Sequence, residues 1–312
     1  MALESDLLID RRRLKRGLAL WRAVAVIAVL GAIALVAREA APGRAILGAS
    51  VARLTISGVI TEDRERDEAL AALAEDAGTR ALIVAIDSPG GTVSGGEALH
   101  RSLLAVAAKK PVVAVMGGTA ASAGYMVALP AERIFAREST VTGSIGVIMQ
   151  TADFSGLLES LGIRAESITS GALKDQPSPL RPLTEEGRAA LNAVIQDLYA
   201  QFVAMVVAGR GMDEGRVRTL ADGRVFTGRQ AVGAGLVDAI GGEREARAWL
   251  AAEKGVPASL PVRELLDDET ERLIPRMLRS ARKALVSERL SLDGLMAVWH
   301  PSLAVGPRGG VE

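Results

Sequence analysis

The sequence predicts an α/β protein on three observations. Short apolar runs of the kind that a parallel sheet buries on both faces recur between segments with helical spacing. Glycine-rich turns punctuate the junctions between them. Aromatic residues make up only 3% of a 312-residue chain that is 49% hydrophobic and carries 33 glycines, which favours close backbone packing over aromatic platforms for bases or sugars. A chain of this size and apolar content can bury one large core or two modest ones.

Taken in order, the first element is apolar and basic-flanked. Arg11, Arg12, Arg13, Lys15 and Arg16 precede a run from Leu18 to Ala37 interrupted only by Arg22, and Arg38 and Glu39 close it. A membrane span needs roughly 20 apolar residues, so Arg22 is expected to snorkel towards the head groups. The positive cluster predicts that residues 1–17 stay in the cytoplasm, that 18–37 anchor the chain, and that everything beyond the linker 38–49 is exported. A cleaved signal peptide shares the basic start and apolar run, although no clean small-x-small site follows here.

From Val51 to Ile60 the pattern is strand-like, and Asp67 to Ala77 is helical. Ala81 to Ile86 suits a buried parallel strand, followed by a tight turn at Ser88-Pro89-Gly90-Gly91, a glycine pair at Gly95-Gly96 and a helix from Glu97 to Ala108. Pro111 to Met116 reads as another buried strand leading through Gly117 to Gly124 into a short helix, and Arg133 to Ala136 as a further strand. Gly171 to Pro182 is a polar loop. Thr184 then caps a helix with Leu191, Ile195, Leu198, Phe202 and Met205 on one stripe, ending at Gly209. A smaller α/β segment runs through Gly242, which sets one domain at 50–255. The zone 256–312 differs in composition. Leu273, Met277, Ala281, Ala284 and Leu285 approximate one helical face there, suited to oligomer packing, a membrane surface or a neighbour's cleft.

Composition narrows the chemistry. Lys+Arg and Asp+Glu both total 37, so no global field draws the chain to nucleic acid. With no cysteine, thiol nucleophiles, disulfides and cysteine-bound metal are excluded. Of the two histidines, His100 falls inside a helix and His300 in the divergent tail, which suits packing or surface roles rather than a Ser-His-Asp triad. No HExxH pair, P-loop or GxGxxG is present, so neither metal nor nucleotide cofactor is expected. Catalysis must use Ser, Thr, Lys, Asp or Glu.

Ser122, in Gly117-Gly118-Thr119-Ala120-Ala121-Ser122-Ala123-Gly124-Tyr125, follows a buried strand among small residues. There a serine can stand on a sharp strand-to-helix turn, with the next backbone amide aimed at a developing oxyanion. Taken alone, capping the following helix is the stronger reading. The glycines of Asp87-Ser88-Pro89-Gly90-Gly91 free further amides at the neighbouring strand end, facing the same crevice. A serine needs a base. A lysine made neutral by burial can serve where an arginine cannot, and Lys174 is one of few lysines in an arginine-dominated chain.

Five segments occur in order: Asp87 to Gly91, Ala121 to Tyr125, Thr142-Gly143-Ser144-Ile145-Gly146-Val147, Ser170-Gly171 to Lys174-Asp175, and Ala221-Asp222-Gly223-Arg224-Val225-Phe226-Thr227-Gly228. Together they resemble the signal peptide peptidase A family of bacterial serine-lysine proteases in its short, single-repeat form, over residues 50 to 250. The resemblance implies a Clp-protease/crotonase-like α/β fold of repeated β-β-α units, with Ser122 as nucleophile and Lys174 as general base. It further implies that Ser144 orients the lysine amine and that the Gly91 and Ala123 amides form the oxyanion pair. The implied substrates are remnant signal peptides and other small or unfolded polypeptides, cleaved on the exported side of the bacterial cytoplasmic membrane. Adjacent protomers of a homo-oligomeric ring, octameric by the resemblance, are implied to share each serine and lysine. One departure stands out: the family has glycine where this chain has Ala123, so a turn requiring positive φ there would be strained. An acyl-CoA enzyme of the same superfamily, and a scaffold that has lost catalysis, are the competing expectations.

Overall fold

The structure, a computed structural model, describes residues 48–266 and 296–298. The expected anchor at 18–37, the 273–285 helix and His300 lie outside the described residues. The strands are β1 (Ser50–Ile60), β2 (Thr79–Thr92), β3 (Val112–Ala121), β4 (Arg133–Ala136), β5 (Val141–Gly143), β6 (Val225–Thr227), β7 (Ala239–Ile240), β8 (Val262–Glu264) and β9 (Met296–Val298). The helices are α1 (Arg64–Glu75), α2 (Val93–Ala107), α3 (Ala123–Met126), α4 (Ser155–Ser160), α5 (Glu185–Arg210), α6 (Glu214–Leu220), α7 (Gly228–Ala234) and α8 (Glu243–Lys254).

One mixed sheet organises these elements, with the path β6-β5-β3-β2-β1-β8. Its centre is parallel, as the apolar runs predict: Leu82, Ile83, Val84 and Ile86 on β2 pair with β1 and β3 and are buried. The sheet forks at β3. Val113 to Met116 pair with β4, whereas Thr119 to Ala121 pair with β5, so the end of β3 nearest Ser122 belongs to a different branch from its start. Helices α1 and α2, the C-terminal half of α5, and α6 and α7 contribute to the larger core, while α8 covers the opposite side with Ala246 and Leu250.

Three expectations need correcting. The Ser88 to Gly91 segment is not a tight turn but a continuation of β2. After a register shift between Ile86 and Ser88, Gly90 and Gly91 still pair with Val59 and Ile60. The Ser88 hydroxyl accepts from the Gly90 N–H at 3.1 Å and holds the bulge. Helix α2 starts at Val93, earlier than the glycine pair suggested, because the Thr92 hydroxyl caps it by accepting from the Gly95 N–H. A Cβ on Gly95 would stand 2.6 Å from the Thr61 carbonyl carbon, so glycine serves close packing there rather than a turn. The predicted stripe on α5 also holds for only part of its length. Phe202, Val203 and Val206 are buried, while Leu191, Ile195 and Leu198 are only partly covered. Although α5 is long and apolar enough to cross a membrane, its last turns are packed into the core.

Candidate active site

Ser122 closes β3 and opens α3. Its backbone sits at φ +56°, ψ −120°, and Ser122 and Ser144 are the two non-glycine residues with positive φ among those described. The Ser122 hydroxyl makes no capping hydrogen bond, so the capping alternative loses its support. A strained, non-capping serine between a buried strand and a helix is the geometry of a nucleophile elbow. The residue is 1% exposed in the isolated chain.

Ala123 settles the concern raised by its sequence. The positive φ falls on Ser122, while Ala123 is the first helical residue, so an alanine costs no strain. Its Cβ lies against Gly96, where an added Cβ would be 3.0 Å away. As an N1 residue its N–H has no partner within α3, and it meets no other acceptor among the described residues. It remains free to face an oxyanion. The feature that favoured a non-catalytic scaffold is thereby removed.

Several contacts brace this turn. Ser122 N–H donates to the Gly143 carbonyl at 2.8 Å, joining this turn to the Thr142 to Val147 segment. The Thr142 hydroxyl donates to the Ala120 carbonyl at 2.6 Å. Ser144, at φ +49°, donates its N–H to the Arg224 carbonyl at 2.8 Å. Arg224 is fixed in turn by its guanidinium, whose Nε donates to Asp222 at 2.8 Å, and this hydrogen bond holds the Asp222 carboxyl down to about 2. Gly143 and Phe226 are in such close contact that a Cβ on Gly143 would stand 2.6 Å from the ring.

On the other flank, Asp87 accepts from the Thr119 N–H at 2.9 Å, and a Cβ on Gly124 would approach the Ser88 carbonyl oxygen to 2.8 Å. Gly91 has no room for a side chain either, since its Cβ would fall 1.8 Å from the Ile60 carbonyl oxygen. Four of the five sequence segments therefore converge on Ser122. The bracing roles of Asp87, Ser88, Thr142 and Asp222 escaped the sequence reading, although all four stand inside the quoted segments.

The fifth segment does not join them. Lys174 is exposed on the excursion between β5 and α5, where its N–H donates to the Gly171 carbonyl at 3.1 Å. No hydrogen bond links it to Ser122 or Ser144 among the described residues. Asp175 pairs with Arg181 instead. Among the described residues none supplies the burial expected of the lysine. On the same excursion Phe154, Leu157, Leu161, Ile163 and Leu173 are exposed, and Ile168 is 97% exposed.

His100 is a packing residue. It is buried on α2, and Nδ1 lies 2.9 Å from the Met126 carbonyl, which requires an Nδ1–H donor. Burial pushes its pKa down. Tyr125, fully buried, donates its hydroxyl to the Leu236 carbonyl at 2.8 Å, and burial pushes its pKa up. Among the described residues no group of three potential ligands is placed to hold a metal ion.

The profile of peptidase family S49 matches residues 105–257. A putative protease of Synechocystis is 41% identical over 208 residues, covering 66% of this chain and 75% of that protein. A putative signal peptide peptidase of Enterococcus faecium is 36% identical over 65% of this chain and 63% of its own length. Among solved structures, a ClpP1 mutant from Listeria monocytogenes aligns with 62% of this chain and 92% of that one, at a TM-score of 0.42 and 20% identity. By its kinship with these proteases over the segment that carries Ser122, the chain belongs to peptidase family S49 and is a serine protease.

Proposed function

We propose that the chain is a membrane-anchored endopeptidase that cleaves remnant signal peptides and other small or unfolded polypeptides, using Ser122 as nucleophile and Lys174 from an adjacent protomer as general base. The carrying observation is the contrast between the two residues. Ser122 stands on a strained, braced turn, whereas Lys174 is exposed on an excursion that carries uncovered apolar side chains. A neighbouring copy that buries this excursion would desolvate the lysine and favour its neutral form. Exposed apolar area of this extent favours such an interface, and Ser144 is the candidate to orient the amine.

In the proposed reaction, neutral Lys174 Nζ takes the proton of Ser122 Oγ as the oxygen attacks a peptide carbonyl. The Gly91 and Ala123 N–H groups hold the oxyanion, and loss of one such donor costs about 10²- to 10³-fold in rate. The protonated lysine then gives its proton to the leaving amine. Water, deprotonated by the same lysine, releases the acyl-enzyme. The tether at 18–37 would hold this centre beside the membrane on the exported side, within a protease domain at 50–255.

Subunit sharing has a direct test. Ser122→Ala and Lys174→Ala are each expected to abolish peptidase activity without unfolding the protein. When the two inactive chains are co-assembled in equal amounts, a head-to-tail ring restores about a quarter of wild-type activity, because that fraction of neighbouring pairs brings an intact serine to an intact lysine. A dyad within one chain restores none.

A further inference from the structure

Helix α1 carries an arginine where its period calls for an apolar side chain. Its buried residues are Arg66, Leu70, Leu73 and Ala74, which share one face at the spacing i, i+4, i+7, i+8. Arg66 is only 7% exposed. Its Nη2 donates to the Thr61 carbonyl at 2.9 Å, while its buried Nε meets no acceptor among the described residues. Desolvating a cation and leaving one of its donors unmet is costly, so stability alone is a poor reason for this side chain. Burial also pushes its pKa down, with Asp63 and Asp67 acting in the opposite sense.

The carbonyl that Arg66 holds belongs to a segment lying behind the Ser122 turn. Thr61 follows Ile60, the last residue of β1, which pairs with Gly91 so closely that a Cβ on Gly91 would fall 1.8 Å from the Ile60 carbonyl oxygen. Thr61 itself packs on the first turn of α2, where a Cβ on Gly95 would stand 2.7 Å from the Thr61 Cα. Beside it, Gly96 faces the Ala123 Cβ, which would be 3.0 Å from an added Cβ. Residues 60 and 61 therefore touch Gly91 on one side and, on the other, the helix turn that supports Ala123. We infer that Arg66 is a positioning residue for the oxyanion site: by holding the Thr61 carbonyl, it fixes the separation of the Gly91 and Ala123 amides. The inference rests on the assignment of Ser122, Gly91 and Ala123 proposed above. At Gly91 and Gly95 backbone meets backbone, with no flexible side chain to absorb a shift of Thr61.

The test replaces Arg66 by Met, which fills the same face without a donor, and by Lys, whose ammonium can still reach a carbonyl. Arg66→Met is expected to fold with Tm within about 4 °C of wild type, because release of a desolvated cation offsets one lost hydrogen bond. Its kcat for a short peptide should fall about 10- to 100-fold with KM within about twofold, as misplacement of an oxyanion donor requires. Affinity for a peptide aldehyde, whose adduct with Ser122 places its oxygen between the two amides, should fall by the same factor. Affinity for the corresponding peptide alcohol, which forms no adduct, should not change. Arg66→Lys should keep kcat within about threefold of wild type. Gly95→Ala, which displaces Thr61 with the arginine intact, should lower kcat as Arg66→Met does, and it decides the matter if Arg66→Met does not fold. Unchanged kcat in Arg66→Met or in Gly95→Ala overturns the inference, as do aldehyde and alcohol affinities that fall together, or a Lys variant no more active than the Met one. Ser122→Ala is the control. Should it cleave as well as wild type, the assignment of the site fails and this inference with it.

Discussion

At Ser122 the chain accepts a backbone conformation that its own side chain disfavours. A non-glycine residue at φ +56° costs on the order of 1–3 kcal/mol, and the surrounding pairs with Gly143 and α3 hold it there. Ser122→Gly should relieve that strain. It is expected to raise stability by about 1 kcal/mol, which moves Tm up by about 2–4 °C in a domain of this size, while removing all peptidase activity. A lower Tm by calorimetry would show that the turn is not strained. His100 supplies a second residue-scale prediction. Burial lowers its folded pKa, with Glu97 and Arg101 as the charged groups acting on it. The unfolded chain gains a proton as pH drops below about 6.5, before the folded chain does, so stability that is complete above that value is lost as pH falls through the folded pKa. Between pH 7 and 5, wild type should therefore lose more stability in urea than His100→Asn; equal slopes would show that His100 does not carry the effect.

Helix α5 shows how one element divides its work. Its 26 residues begin at a Thr184 cap and end at Gly211 in the left-handed region. Apart from Gly187 in the first turn, its buried residues lie in the second half. That half is anchored by Arg210, which pairs with both Asp238 oxygens at 2.7 and 3.1 Å and donates its Nε to the Gly235 carbonyl at 3.0 Å. Asp238 also accepts from the Ile134 N–H at 2.7 Å, so the pair ties the helix to the outer branch of the sheet. Arg210→Met leaves a partly buried carboxylate without its cation and is expected to cost about 3 kcal/mol in denaturant unfolding. A loss below about 1 kcal/mol would mean that Asp238 is solvated and the pair is not an anchor. The cap and the helix length were legible in the sequence, because Thr184 and the spacing are local signals. Periodicity marks which side of a helix is apolar, but not how much of that side finds a partner.

Over the whole molecule, the excursion from Ile148 to Val194 is unlike the rest of the domain, because its apolar side chains face outward. If neighbouring copies cover them, Leu161→Asp combined with Ile168→Asp should give a monomer by mass determination, with thermal stability of the isolated domain unchanged and peptidase activity lost. A double variant that remains assembled and active would separate this surface from both assembly and catalysis. Among the described residues nothing buries Lys174, so the proposed mechanism ties chemistry to assembly.

Much of the parallel sheet was written in local signals: Ala81 to Ile86, Pro111 to Met116 and Arg133 to Ala136 carry enough apolar, β-favouring residues to specify buried strands without further context. The order of the five short segments was sufficient to suggest the family and to single out Ser122. Three things depended on tertiary structure. Whether Ser88 to Gly91 turns or stays extended depends on pairing with Val59 and Ile60, which are distant in sequence. The position of the positive φ, on Ser122 instead of Ala123, is set by the Gly143 carbonyl that holds the Ser122 N–H. The separation of Lys174 from Ser122 follows from the path of an excursion whose apolar residues find no cover among the described residues. Propensity and periodicity act over neighbouring residues, whereas an active site is assembled by contacts between segments that are far apart.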